Sequence, residues 1–168
     1  VFKGIPVIKG ARGDNPVGLH QDWEYVDERY HRGFVVWAPL DGATSREGGL
    51  HVIPGSHRWL DNHRGSGFPD PFADVADEIV RRASVPVDLE PGQAVIYDNA
   101  LLHHSPANCG ERTRVAIALA IAPPGASVVH FHTTDGQQAE VFEVPANDDF
   151  FTREPFGSRP GWHPARVV

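Results

Sequence analysis

The segment TRVAIALAIAP, Thr113 to Pro123, alternates strictly between large apolar residues and small or charged ones. A period of two is the signature of a strand, because successive side chains point to opposite faces. Val115, Ile117, Leu119 and Ile121 fall on one face; Arg114, Ala116, Ala118 and Ala120 fall on the other. Three alanines and one long cation cannot fill a packed core. They can line a lumen that holds a small anion. The opposite face is broad and apolar, and a bare patch of that kind is a liability. It is therefore expected to be covered by helices from a missing N-terminal segment, by a second chain or by a homodimer contact.

The rest of the chain reads as more strands. IPVIKG, RGFVVWAPL, LHVIPGSHRW, SVVHFHT and AEVFEVP are short β-branched or aromatic runs. The chain's 15 prolines and 17 glycines favour short strands joined by turns. Between them, DVADEIVRRAS places Val75, Ile79 and Val80 at helical spacing, with acids early and arginines late, as the helix dipole favours. One short helical insert near 74–84 is expected. Roughly eight strands with one helix predict a mainly β fold, a double-stranded β-helix of the jelly-roll or cupin type. The 168 residues suit a single domain over 1–168, with a mobile loop at 61–73 and an irregular tail at 147–168. The chain has no methionine and starts at Val1, so an N-terminal part is expected to be missing.

A net charge of -7 argues against nucleic acid or an anionic membrane as partner. No apolar run is long enough to span a bilayer. Cys109 is the single cysteine, which excludes an internal disulfide and a thiolate zinc cluster and fits a cytoplasmic setting.

The chemistry begins at VGLHQDWEYVDE, where His20 and Asp22 lie two apart on an extended segment and so point the same way. Two histidines and one carboxylate on one face of an ion leave positions open, which suits non-haem Fe(II). A third ligand must come from elsewhere, and ALLHHSPANCGERTR offers His103 or His104. Glu24, Asp27 and Glu28 follow the motif and could meet a cationic group or form a solvated loop.

The blocks LHQDW, GGLHVIPGSHRW and GQAVIYDNALLHHSPANCGERTRVAIALAI, taken together and in this order, resemble the phytanoyl-CoA dioxygenase family of Fe(II)/2-oxoglutarate-dependent oxygenases. The resemblance runs from about Val7 to Ala122. It implies His20, Asp22 and His103 as iron ligands, and strand alternation then turns His104 away. It implies Arg114 as the partner of the far carboxylate of 2-oxoglutarate, with Ser105 and Trp37 beside the same co-substrate. Fe(II), 2-oxoglutarate and dioxygen are the implied cofactors. A small organic metabolite is the implied substrate, oxidised at an unactivated C–H bond while 2-oxoglutarate is decarboxylated to succinate. Halogenating relatives carry a small residue where Asp22 stands, so hydroxylation or a related oxidation is favoured. Arg112 shares the strand parity of Arg114 but lies nearer the sheet end, where it reaches water. Two other readings stay open: a metal-dependent cupin isomerase or hydrolase, and a catalytically silent binding domain. Consumption of 2-oxoglutarate separates them from the oxygenase.

Overall fold

The computed structural model describes residues 1, 3–13, 15–145, 150–153 and 157–168. Eight strands form two antiparallel four-stranded sheets. They are β1 (Lys3–Lys9), β2 (Val17–His20), β3 (Phe34–Pro39), β4 (Leu50–Val52), β5 (Val85–Val87), β6 (Val95–Asp98), β7 (His103–Ser105) and β8 (Arg114–Ile121). The sheet orders are β1-β8-β3-β6 and β2-β7-β4-β5, the alternation of a jelly roll. The expected mainly β architecture is therefore present. A helix α1 (Ala76–Ala83), entered through a 3-10 turn at Ala73–Val75, joins β4 to β5 where the helical spacing places it.

The two sheets share a core of Val35, Trp37, Ala43, Leu50, Tyr97 and Ala116. In β8, Arg114 and Ala116 point inward and are buried, while Ile117 on the other parity is exposed. Register aligns Ala116 with Val7 and Arg114 with Lys9, so β1 continues the same inner face. The outer face carries Ile8, Ile96 and Ile117, 59%, 63% and 38% exposed, with Val115, Leu119 and Ile121 half-buried beside them. Among the described residues nothing provides the cover expected for it.

A third sheet, of order β11-β10-β9, is built from β9 (Val129–His132), β10 (Glu140–Glu143) and β11 (Arg166–Val167). The tail is thus not irregular throughout: it holds a short helix α2 (Phe150–Arg153), and Arg166 pairs with Val141. Residues 147–149 and 154–156 of the expected tail lie outside the described residues. Alternation was hidden there because a two-residue strand is too short to show a period.

This third sheet fixes the base of the 61–73 loop, which was expected to be mobile along its length. Ser66 N–H donates to Phe131 O and Ser66 O accepts from Thr133 N–H, both at 2.9 Å. Gly65 and Gly67 make the approach feasible. A Cβ on Gly65 would stand 2.2 Å from Phe131 O, and Gly67 sits at φ +83° against Thr133 O. Arg64 and Ser66 are consequently buried.

Two imidazoles, His130 buried and His104 half-buried, give the fold an acid limit. Burial, reinforced by neighbouring His51, lowers His104 to about 4. Burial lowers His130 to about 4 as well. An unfolded chain takes up those protons near pH 6.5, so it binds more protons than the folded one between about 6.5 and 4. Folding stability should therefore fall as pH drops through that window. His130→Gln should flatten the fall, whatever its effect at pH 7. Denaturant midpoints at pH 7 and pH 5 measure both; equal slopes in the two proteins would contradict the assignment.

Candidate metal centre

Strands β2 and β7 pair so that His20 lies directly opposite His103. The ring centroids are 4.2 Å apart, inclined at 52°. His20 Nδ1 is 2.8 Å from Gly18 O, and His103 Nδ1 is 2.9 Å from Leu101 O. A carbonyl can only accept, so each Nδ1 carries the proton and each Nε2 is the unprotonated nitrogen, the form that binds a metal. Asp22 completes the group. Its Oδ2 is 3.7 Å from His103 Nε2 and is buried with no hydrogen-bond partner among the described residues. One ligand atom from each of the three lies within 4.8 Å of the others. Burial also lowers the His103 pKa, so this ring is neutral at pH 7. Two aimed imidazole nitrogens and an orphaned carboxylate oxygen fit a divalent first-row ion.

Backbone ties hold the motif in place. Asp22 N–H donates to Asn99 O at 2.9 Å, and Gln21 Nε2 donates to Ala100 O at 2.7 Å. Arg64 donates from Nε to Asp22 O at 2.9 Å. His104 does turn away, as strand alternation predicts. Its ring is 4.9 Å from His51, and its Nε2 is 2.7 Å from Ser84 Oγ.

The three residues open on a cavity of about 230 Å³ that is also lined by Trp37, Ser105 and Arg114. Arg114 is 4% exposed. It donates from Nη1 to Val7 O and from Nη2 to Gly48 O, both at 2.9 Å, and its guanidinium lies 5.5 Å from the Trp37 ring. Its Nε is buried without a partner among the described residues. Arg112, by contrast, is exposed in the turn before β8.

Sequence reasoning missed three residues here. Lys9 is 2% exposed and pairs in register with Arg114. Its Nζ donates to Ser105 O at 3.0 Å and to Pro106 O at 2.5 Å. Burial, then the Arg114 charge, lowers Lys9 to about 8. Its signal was parity: Lys9 is two steps of two from Ile5, on the lumen face. Tyr97 places its hydroxyl 3.5 Å from His103 Nε2, and burial beside Asp22 raises it well above the usual phenol range. It stays a neutral phenol. Arg64 carried no sequence signal, because it lies in a segment without periodicity.

The acids after the motif are neither cation receptors nor a solvated loop. Glu24 is 3% exposed, and its Oε2 is 2.9 Å from His63 Nδ1. Glu28 accepts from Arg64 Nη2 at 2.6 Å. Asp27 accepts from Arg29 and Arg166. They form an ion-paired buttress under the site.

Residues 5–116 match the family model described as Phytanoyl-CoA dioxygenase (PhyH). A "Probable phytanoyl-CoA dioxygenase" of Caenorhabditis elegans is 30% identical over 107 residues, covering 60% of this chain and 34% of that protein. The crystal structure of EvdO2 from Micromonospora carbonacea var. aurantiaca complexed with 2-oxoglutarate superposes with a TM-score of 0.57 at 29% identity, covering 76% of this chain and 52% of that one. The non-heme alpha ketoglutarate dependent carbocyclase SnoK from nogalamycin biosynthesis shares the fold at a TM-score of 0.62 and 18% identity, over 98% of this chain and 60% of its own. The chain thus spans between a third and about three fifths of these proteins.

The geometry predicts one metal site. Calorimetric titration with Ni(II) or Zn(II) should give one equivalent bound. Asp22→Ala or His103→Ala should weaken it by at least ~100-fold, beyond the 10–100-fold usual for outer partners. His104→Ala should leave it within about threefold, as expected for a residue outside the ligand set.

Proposed function

Because the chain belongs to the phytanoyl-CoA dioxygenase family, we propose that it carries the catalytic domain of a non-haem Fe(II)/2-oxoglutarate-dependent dioxygenase acting on a small organic molecule. In this reading His20, Asp22 and His103 hold the iron. Arg114 binds the far carboxylate of 2-oxoglutarate, with Ser105 and Trp37 lining the same cavity. Iron, when bound, supplies the site where 2-oxoglutarate and dioxygen are converted to succinate and carbon dioxide as one oxygen atom oxidises a substrate C–H bond.

One observation carries the proposal. Two buried cations, Lys9 and Arg114, are paired in register, with Arg114 in the wall at one end of the cavity and Lys9 beside it, and among the described residues neither has a carboxylate partner. Carbonyl oxygens solvate them but do not neutralise them. Buried charge of one sign is costly unless an anion joins it. The other end of the same cavity bears the His-Asp-His set. A dicarboxylate with a keto acid at one end matches both ends, through charge-assisted hydrogen bonds at the arginine. Trp37 offers a flat wall, and the neutral Tyr97 hydroxyl adds no charge beside Asp22. The chain's own contribution is to hold ligands in place, keep water out and orient one C–H bond.

Binding of 2-oxoglutarate by the metal-loaded chain tests the proposal. Arg114→Ala should weaken it by about 10–100-fold, the loss of charged hydrogen bonds worth roughly 1.5–3 kcal/mol. Metal affinity should hold, and Arg112→Ala should bind like the parent chain. Calorimetry with and without metal reads all three. Loss in the Arg112 variant with retention in the Arg114 variant would refute the assignment.

A further inference from the structure

A second cavity, of about 140 Å³, meets the first at His20 and lies under the 62–71 segment. Nothing in the cycle proposed above uses it. Its walls make it selective. Besides His20, two basic side chains line it, and both are already neutralised. Arg64 spends its guanidinium on Asp22 O, Asn62 O and the Glu28 carboxylate. His63 is held at Nδ1 by the buried Glu24 carboxylate and stacks on Phe131 at 4.7 Å. Neither is left over for an anionic ligand.

The groups still open in the wall are acceptors. Asn62 Oδ1 is buried without a hydrogen-bond partner among the described residues. Gln21 has its amide nitrogen committed to Ala100 O, which leaves its carbonyl oxygen. Asp70 sits on the exposed rim and makes no ion pair among the described residues, its Oδ1 accepting only the Phe72 N–H. The rest of the wall is flat and apolar, from Trp23, Phe68 and the prolines at 69 and 71. A cavity of about 150 Å³ accepts one six-membered ring.

Resting on the reading that His20 holds the metal, the geometry points to an uncharged, polyhydroxylated saturated ring as the substrate group that docks in this cavity. Its hydroxyl edge donates to Asn62 and Asp70, and its C–H face lies on Trp23 and Phe68. Burying a hydroxyl donor against the orphaned Asn62 oxygen removes the cost of that unpaired atom. A phosphate-bearing thioester would find Arg64 and His63 already committed to carboxylates.

Three rings of one size separate the alternatives: myo-inositol, cyclohexanecarboxylate and cyclohexylammonium. Saturation-transfer NMR on the chain loaded with Zn(II) and 2-oxoglutarate ranks them. The expected order puts myo-inositol first. Asn62→Leu should weaken it by about tenfold, the worth of one hydrogen bond of roughly 1.4 kcal/mol. Asp70→Asn, an exposed change that leaves the fold intact, should weaken it by a smaller factor. A charged ring ranking first, no ring binding, or an Asn62 variant that binds like the parent would each overturn the proposal. Repeating the ranking on the metal-free chain isolates it from the oxygenase reading, because the walls are protein atoms. If 2-oxoglutarate fails to bind but myo-inositol still does, the oxygenase reading falls and the cavity assignment stands. The reverse result removes only the cavity assignment.

Discussion

Everything at the centre of this protein depends on the register between β2 and β7. A slip of one residue would send every side chain of a strand to the other face. His20 would leave His103, and His104 would take its place inside. Two local hydrogen bonds, from His20 Nδ1 to Gly18 O and from His103 Nδ1 to Leu101 O, then orient the rings within that register. Each bond spans two residues of the ring's own segment. The tautomer is thus fixed by the backbone beside it and does not wait for a partner across the barrel.

Around this pair the charges are arranged in two unlike ways. Below Asp22, acids and bases cancel: Glu28 with Arg64, Glu24 with His63, Asp27 with Arg29 and Arg166. That arrangement makes a stiff support, since breaking a buried pair from one side leaves an unpaired charge. At the far end of the 230 Å³ cavity, Arg114 in the wall and Lys9 paired beside it stay uncancelled by any described acid. The first arrangement stabilises the folded chain alone. The second stores a cost that a bound anion relieves, and that difference sets the support apart from the site.

Much of this was legible in the sequence, for a physical reason. Period-two alternation in β8 gave its inner and outer faces, and the two-residue spacing of His20 and Asp22 gave a shared direction. Strand parity separated His103 from His104 once the first was taken as inward. The position of Arg114 next to small alanines foretold a lumen. What failed to show was long-range pairing. The partners of Glu24, Asp27 and Glu28 lie 35 or more residues away for the His63, Arg64 and Arg166 contacts, and no local pattern announces such a pair. Lys9 was hidden because buried lysine is rare enough that a sequence reading leaves it outside. The tail strand β11 was hidden by its brevity, and the anchoring of Gly65 by the absence of any side chain to signal it.

The most direct test of this account is where a metal sits. Crystals of the chain grown with Ni(II) or Fe(II), with oxygen excluded for iron, and measured at the metal's absorption edge, locate it by anomalous scattering. The account predicts one strong peak bonded to Nε2 of His20, Nε2 of His103 and a carboxylate oxygen of Asp22, with both Nδ1 atoms still on their backbone carbonyls. A peak on His104, a bond through either Nδ1, or a metal bound away from these three residues would contradict it.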